Sequence, residues 1–461
     1  MERYNEYKDS GIFWEPCIPS QWRVTRLKNI LSKLDRPRTP NDELLVCSNS
    51  GEVKKRGDNK LGLVADSDEI YQGVKSGDLL IHGMDTWHGA IAVSKLDGMC
   101  TPVVHVCDSS QKKEFVALYL RNMASQKIFK LISNGVRQNT SDFRSWSKLG
   151  CVPIAIPSLR EQEKIVGYLE RKTSKIDEYI TEKEKEVQLL NELKEAEIAK
   201  VVTQGLNPNV KMKDSGISWI GMIPEHWDTY ILKRLIKERK AGSWGNEPKT
   251  SEIDCICLRI ADFEYQNYRF QRKDDLTIRS YMEKDLEDRV LKQGDILIEK
   301  SGGGEKSPVG RAVLYDLSIE NAMYANFMEK IIPKEVINSH YLIYLLATMY
   351  SKRAMWTYIK YTTGIQNLDL TSLLSNEKIP LPPLDEQRAI VAYINEKTTK
   401  IEYLITDLQA EIEHLKEYKQ RLIADCVTGQ VNVAGSESRG GLLTMPSQSN
   451  VTKSNVQNET K

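Results

Sequence analysis

Zinc-type cysteine spacing is missing from this sequence. Its eight cysteines stand at 17, 47, 100, 107, 151, 255, 257 and 426 with no Cys-x2-Cys pair, and only His105 lies close to any of them. A closed zinc site needs four clustered ligands, so these read as ordinary thiols of a reducing compartment. No run of about 18 apolar residues occurs, which speaks against a membrane helix. The opening MERYNEYKDSG is charged and polar where a secretory leader carries an apolar core. A cytosolic chain with no membrane partner is expected. Charge of one sign is also lacking: 65 Lys and Arg against 64 Asp and Glu leave a net +1. No global field draws the chain to nucleic acid, although local basic patches survive inside such a balance. Nor is there an Asn-Pro-Pro-aromatic or Asp-Pro-Pro-aromatic tetrapeptide of the kind an adenine methyltransferase uses. The Glu-Lys-rich stretch IDEYITEKEKE has the spacing of a solvated helix face rather than of a catalytic cluster.

What is present is repetition. KDSGIFWEPCIPSQW begins at Lys8 and KDSGISWIGMIPEHW at Lys213, an offset of 205. GDLLI (77–81) returns as GDILI (294–298), an offset of 217, each a short apolar strand entered through Gly-Asp. IPSLREQEKIVGYLERKTSKID from Ile156 returns as LPPLDEQRAIVAYINEKTTKIE from Leu381, an offset of 225. An internal repeat governs the architecture. Its growing offset makes the second copy longer by insertions between the shared phrases.

The third phrase opens a long helix in each copy, because a proline-containing turn precedes about 42 charged, proline-free residues. In the second copy Ile394, Ile401, Leu408, Leu415 and Leu422 recur every seven residues, with Ile405 and Ile412 beside them. In the first, Leu169, Ile176, Ile180, Val187, Leu190 and Leu193 form a weaker stripe, interrupted by Lys183. Heptads of this kind pack helix on helix. At 1.5 Å per residue each would span roughly 60 Å. Matching exits follow, VVTQGLNPNV (201–210) and CVTGQVNVAG (426–435).

The expected fold is mixed α+β: two globular domains with approximate internal two-fold symmetry, separated by a pair of long helices packed as an antiparallel coiled coil. The boundaries are 1–158 for the first domain, 159–203 for the first helix, 204–212 for a linker, 213–383 for the second domain and 384–428 for the second helix. Residues 429–461, rich in Ser, Asn, Thr and Gly, read as a disordered tail. Two near-copies of one surface invite two copies of one partner.

The doubled KDSG…W…IP…W phrase, PLDEQRAIVAYI and VTQGLNPNV together resemble the specificity subunits of type I restriction-modification enzymes, over nearly the whole chain except the tail. The resemblance implies that each globular part is a target recognition domain reading one half of a split, asymmetric double-stranded DNA site. The helices would then set the unread spacer. It implies no catalytic residues, cofactor or metal in this chain. S-adenosylmethionine, ATP and Mg would belong to partners, two methyltransferase subunits acting on adenine N6 and two ATP-dependent restriction subunits. The first copy departs at Glu15-Pro16, where the second has Ile220-Gly221, and its loop HGMDTWHGAIAV replaces EKSGGGEKSPVGRAVL.

Several segments are candidates for DNA contact. The glycine-rich stretch with Lys300, Ser301, Gly302, Gly303 and Lys306 lacks phosphate-loop spacing and leads into a strand. It is either a hairpin or a loop whose bare backbone approaches phosphates. Arg137, Gln138 and Asn139 in one copy, and Tyr361, Thr362, Thr363, Gly364, Gln366 and Asn367 in the other, supply side chains that pair with adenine and guanine edges. Asn and Gly build turns as well. The basic runs Lys54, Lys55, Arg56, Lys60 and Lys237, Arg239, Lys240 with Trp244 suit phosphates or plain solvation. Trp87 is expected to pack and His88 to face solvent. Glu161, Gln162, Glu386 and Gln387 lie off the heptad stripe and are expected to be free for partner subunits.

Overall fold

The computed structural model describes residues 2–39, 41–57, 70–133, 143–248, 253–305, 307–362 and 364–433. The tail beyond 433, the segment carrying Arg137, Gln138 and Asn139, and Lys60, Lys306 and Thr363 lie outside the described residues.

Both copies of the first phrase fold into the same hairpin. Tyr7–Asp9 pairs antiparallel with Cys17–Pro19, Lys8 opposite Ile18. Met212–Asp214 pairs with Met222–Pro224, Lys213 opposite Ile223. The sequence Asp-Ser-Gly dictates the bend. Asp9 Oδ1 accepts the Gly11 N–H at 2.9 Å, and Asp214 Oδ1 accepts that of Gly216 at 2.9 Å. Both glycines sit at φ +67°, a left-handed backbone that costs glycine nothing. The next strand, Arg23–Arg26 or Asp228–Ile231, pairs with Pro153–Ile156 or Lys378–Leu381, the strand that runs into each long helix.

The main sheets share an order. In the first copy it is Leu31–Lys33, Val104–Ser109, Leu79–His82, Ile91–Val93. In the second it is Ile236–Ala241, Met328–Pro333, Ile296–Glu299, Ala312–Leu314, extended by Arg269–Phe270 and Phe263–Glu264. Both of these strands lie between the first and second shared phrases, the stretch over which the offset grows from 205 to 217. Gly-Asp precedes the central strand for a reason: Asp78 accepts the Lys75 N–H at 2.7 Å and Asp295 the Lys292 N–H at 2.9 Å, closing the entry turn. Leu80, Val104 and Val106 pack with Leu45 and Val74 in the first core. Leu297 and Val313 pack with Phe270 and Tyr324 in one core of the second copy, while Ile296 and Ile298 join Tyr341 and Trp227 in another. Cys47, Cys100 and Cys107 are free and buried, and burial pushes their thiols up to about 12.

The long helices run Leu159–Gln204 and Leu384–Val427. Compact units do not end where these helices begin. One unit holds residues 1–182 with 411–461, the other 183–410, so each helix is shared. In the first unit Asp177, early in its helix, pairs with Lys419, late in the other, at 2.6 Å. In the second, Lys194 pairs with Glu402 at 2.7 Å and Glu197 accepts from Tyr393 at 2.6 Å. Early always meets late, so the pairing is antiparallel. Asp177 and Glu402 are repeat equivalents at offset 225, as are Lys194 and Lys419.

Leu169, Ile176, Ile180, Ile394, Leu408, Leu415 and Leu422 are buried, and Val187, Leu190 and Ile401 are half-buried. Leu193 corrects the expectation: it is 54% exposed, and Lys194 occupies the buried position beside it. The Lys194 ammonium is satisfied there by Glu402, the Gln266 carbonyl at 2.8 Å and Asn267 Oδ1 at 2.7 Å. Three acceptors offset the desolvation of a buried charge. Among the described residues no helix is long and apolar enough to cross a membrane, and no His, Cys, Asp and Glu group is arranged to hold a metal.

Candidate nucleic-acid interface

Two segments of the second unit that are far apart in sequence form one small sheet. Ser301–Gly302 pairs with Ile365–Leu368, which pairs with Ile359–Thr362. Ser301 stands opposite Asn367 and Gly302 opposite Gln366, while Tyr361 stands opposite Gln366 from the other side. The Ser301 hydroxyl donates to Asn367 Oδ1 at 2.6 Å, and the Leu368 N–H donates to the Lys300 carbonyl at 2.8 Å. The glycine-rich stretch and the polar hairpin are therefore a single surface.

Gln366 is buried, and its Oε1 accepts the Val309 N–H at 3.1 Å. It faces into the loop, where it fixes the return of the glycine-rich chain. Gly303 explains the tightness of that return. Its φ is +61°, and a β-carbon on it would lie 2.9 Å from Val309 N and 3.0 Å from Gln366 Oε1. Gly304 has open space where a side chain would be, and Gly302 nearly so, leaving bare backbone at the surface. Gly364 turns the hairpin at φ +82°.

Exposed aromatic and apolar groups lie on this surface. Tyr361 is 76% exposed and Ile365 47%, and the carbonyl of exposed Phe327 accepts the N–H of both Lys300 and Ser301. Cations surround them, each engaged with an acid or hydroxyl. Lys300 lies 3.7 Å from Glu329, and Arg239 lies 3.4 Å from the same carboxylate and donates to Thr371 at 2.8 Å. Lys360 pairs with Asp369 at 2.6 Å, and this ammonium with the Ser372 N–H holds the Asp369 carboxyl down at about 2. Beneath the sheet Arg311 grips buried Glu299 with bonds of 2.9 and 3.1 Å. Burial pushes the Glu299 carboxyl up, and the guanidinium opposes it. Exposed side chains, bare glycine backbone and surface cations suit contact with base edges and phosphates.

Other expected contacts are dispersed. Lys54 pairs with Glu52 at 2.6 Å, Lys55 with Glu43, and Lys240 with Asp288, all at the surface. Trp87 is half-buried and His88 exposed. Trp244 carries the Arg279 guanidinium 4.8 Å from its ring centroid. Phe327 was not legible as part of the surface, because only its backbone joins the glycine-rich strand and no periodicity marks it.

Glu161, Gln162, Glu386 and Gln387 are not available to partners as expected. The Trp22 indole donates to Glu161 and that of Trp227 to Glu386, both at 3.0 Å. Gln162 and Gln387 are fully buried. Gln162 accepts the Lys112 N–H at 3.0 Å and donates to the Pro157 carbonyl at 3.0 Å. Gln387 does the same with Asn338 at 2.7 Å and Pro382 at 2.9 Å. These four residues clasp each helix start to its own globular part.

Comparison with known proteins finds similarity to one family. Residues 249–414 match the family described as the type I restriction modification DNA specificity domain. The type I restriction enzyme MjaVIII specificity subunit of Methanocaldococcus jannaschii is 28% identical over 284 residues, 61% of this chain and 63% of that protein. The match thus spans just under two thirds of that relative. The putative type I restriction enzyme MjaX specificity subunit of the same organism is 25% identical over 447 residues, 90% of this chain and 95% of the other. A solved chain from a study of complex assembly and conformational transition of the type I R-M system has the same fold, with a TM-score of 0.65 at 19% identity, covering 90% of this chain and 99% of that one.

Proposed function

We propose that this chain, similar to type I restriction-modification specificity subunits, is the noncatalytic part that reads DNA, each unit recognising one half of a bipartite, asymmetric site. The observation that carries this reading is the joined surface of Ser301–Gly302 and the 359–368 hairpin, which sets exposed Tyr361 beside bare glycine backbone. Asn367, Tyr361, Thr362, Thr363, Gly364, Lys300, Lys306 and the glycines would contact the double helix in the second unit. Gln366 would hold their loop in shape. Arg137, Gln138 and Asn139 would serve the first unit.

The long helices would fix the spacer and receive partners. Exposed apolar residues recur on them at repeat-equivalent positions, Tyr179 with Leu404 and Leu193 with Tyr418. Like patches in both units favour two copies of one methyltransferase subunit, which would bring S-adenosylmethionine and take up the target adenine after it leaves the stack. Two restriction subunits would add ATP- and Mg-dependent cleavage. The test is to purify the chain with its methyltransferase subunit, supply S-adenosylmethionine, and map N6-methyladenine on random-sequence DNA. One bipartite motif with one adenine per strand is expected. Methylation scattered without a motif would overturn the reading, as would transfer by this chain alone.

A further inference from the structure

The first copy of the repeated phrase carries a buried acid that the second lacks. Glu15 is 6% exposed, and its Oε2 accepts a hydrogen bond from the Tyr119 hydroxyl. Its other oxygen, Oε1, has no hydrogen-bond partner among the described residues. Asn122, one helical turn beyond Tyr119 and 8% exposed, has a buried carbonyl oxygen in the same condition, and so has the indole N–H of Trp14. All four side chains line one cleft of about 410 Å³, closed by Met123, Ile128 and Ala424 and rimmed by Phe13 and Leu131. The rim is apolar and open to solvent, Phe13 at 79% and Leu131 at 64% exposure.

The second unit serves as an internal control. Phe13, Trp14 and Glu15 correspond to Ser218, Trp219 and Ile220, and the helix Lys113–Ser125 corresponds to Ser339–Ser351, which places Leu345 and Thr348 where the first has Tyr119 and Asn122. There Ile220 stands in place of the acid and packs, half-buried, against the core that contains Leu345. The fold therefore does not require an acid at this point, and a carboxyl kept from water without full hydrogen bonding is costly.

We propose that this cleft in the first unit receives a cationic side chain, lysine or arginine, projecting from a partner protein whose apolar surface covers Phe13 and Leu131. The observation favouring a cation is complementarity: Glu15 Oε1 and Asn122 Oδ1 are two acceptors without donors, and an ammonium or guanidinium brings only donors. The rings of Trp14 and Tyr119 beside them favour the same charge. A cation arriving with its hydrogen bonds satisfies the acid, whereas removing either partner from such a buried pair is what destabilises it. Burial holds the Glu15 carboxyl up at about 7, with the Tyr119 hydroxyl opposing, so the free cleft is half-protonated near neutrality and the cation draws it to the ionised form.

This proposal stands apart from the DNA-reading role, though the methyltransferase subunit named above is the partner tested. In the first experiment n-butylguanidinium is added to the full chain and thermal unfolding followed, for the wild type, Glu15→Gln and Glu15→Ile. A rise in midpoint confined to the wild type supports the site; equal rises in all three overturn it. In the second, binding of the methyltransferase subunit is measured at pH 6 and pH 8. Wild-type affinity at one of its sites should tighten about tenfold with ionisation of the carboxyl, and Glu15→Gln should show no such change. Matching pH responses of wild type and variant sink the proposal. Failure of the DNA-reading role shows differently, as methylation without a motif while the guanidinium effect on the wild type persists.

Discussion

The Trp227 indole N–H donates to the Glu386 carboxylate at 3.0 Å, joining the end of the repeated phrase to the first turn of the second long helix. Trp22 and Glu161 make the same bond at 3.0 Å in the other copy. Both rings are fully buried. The carboxylates take further donors, Glu386 from His226 at 2.9 Å and Glu161 from Tyr4 at 2.6 Å. Each exit loop then closes over its tryptophan. Gly205 lies where a β-carbon would be 3.2 Å from Trp227, and Gly429 where one would be 3.3 Å from Trp22.

Glu386→Leu strands the Trp227 N–H, and Glu161→Leu strands that of Trp22. Loss of a charge-assisted bond to a buried donor costs about 2 kcal/mol. Each variant should lower the urea midpoint, and hydrogen exchange should locate the weakening in its own unit.

The two equivalent helix ion pairs should differ in consequence. Lys194 is almost wholly buried with three acceptors, whereas the side chain of Lys419 is 30% exposed and Asp177 54%. Lys194→Ala leaves carbonyls and a carboxylate unpaired and should cost about 3 kcal/mol. Lys419→Ala, at a solvated pair, should cost under about 1 kcal/mol. Urea unfolding of the two variants side by side checks the ranking.

Glu15 gives stability a pH dependence of determinate sign. Burial raises its carboxyl from 4.5 to about 7 in the folded chain, so the folded state holds the proton more tightly than the unfolded one. The first unit is therefore most stable, with respect to this group, below pH 4.5 and loses stability as pH rises to 7. The loss is roughly 3 kcal/mol from a shift of that size. Glu15→Gln should flatten the thermal midpoint between pH 5 and pH 8.

Tyr361→Ala should weaken binding of the cognate duplex by about 1 to 3 kcal/mol, the worth of one good contact to a base edge, without changing the unfolding midpoint. Gly303→Ala acts through the fold instead. At φ +61° against the Val309 backbone it should destabilise the loop by about 1 to 3 kcal/mol and slow methylation at one half-site. Fluorescence anisotropy with cognate and scrambled duplexes, beside thermal unfolding, separates the two effects.

Local chemistry in the sequence determined the doubled architecture. Asp9 with Gly11 and Asp214 with Gly216 write their turns within three residues, and Ile394 to Leu422 writes a helix face in steps of seven, so both were legible without a third dimension. Tertiary structure decided what those rules leave open. Ser301 meets Asn367 across 66 residues and Glu161 meets Trp22 across 139. No local propensity records such distances. Glu161, Gln162, Glu386 and Gln387 look like solvated helix residues by spacing, and Gln366 like a base reader by type. Each is turned inward because an orphan N–H, of Trp22, Lys112, Trp227, Asn338 or Val309, stands within hydrogen-bonding reach only once the chain has folded. Lys194 in place of Leu193 follows the same physics, since the face a helix buries is set by which neighbour can satisfy it.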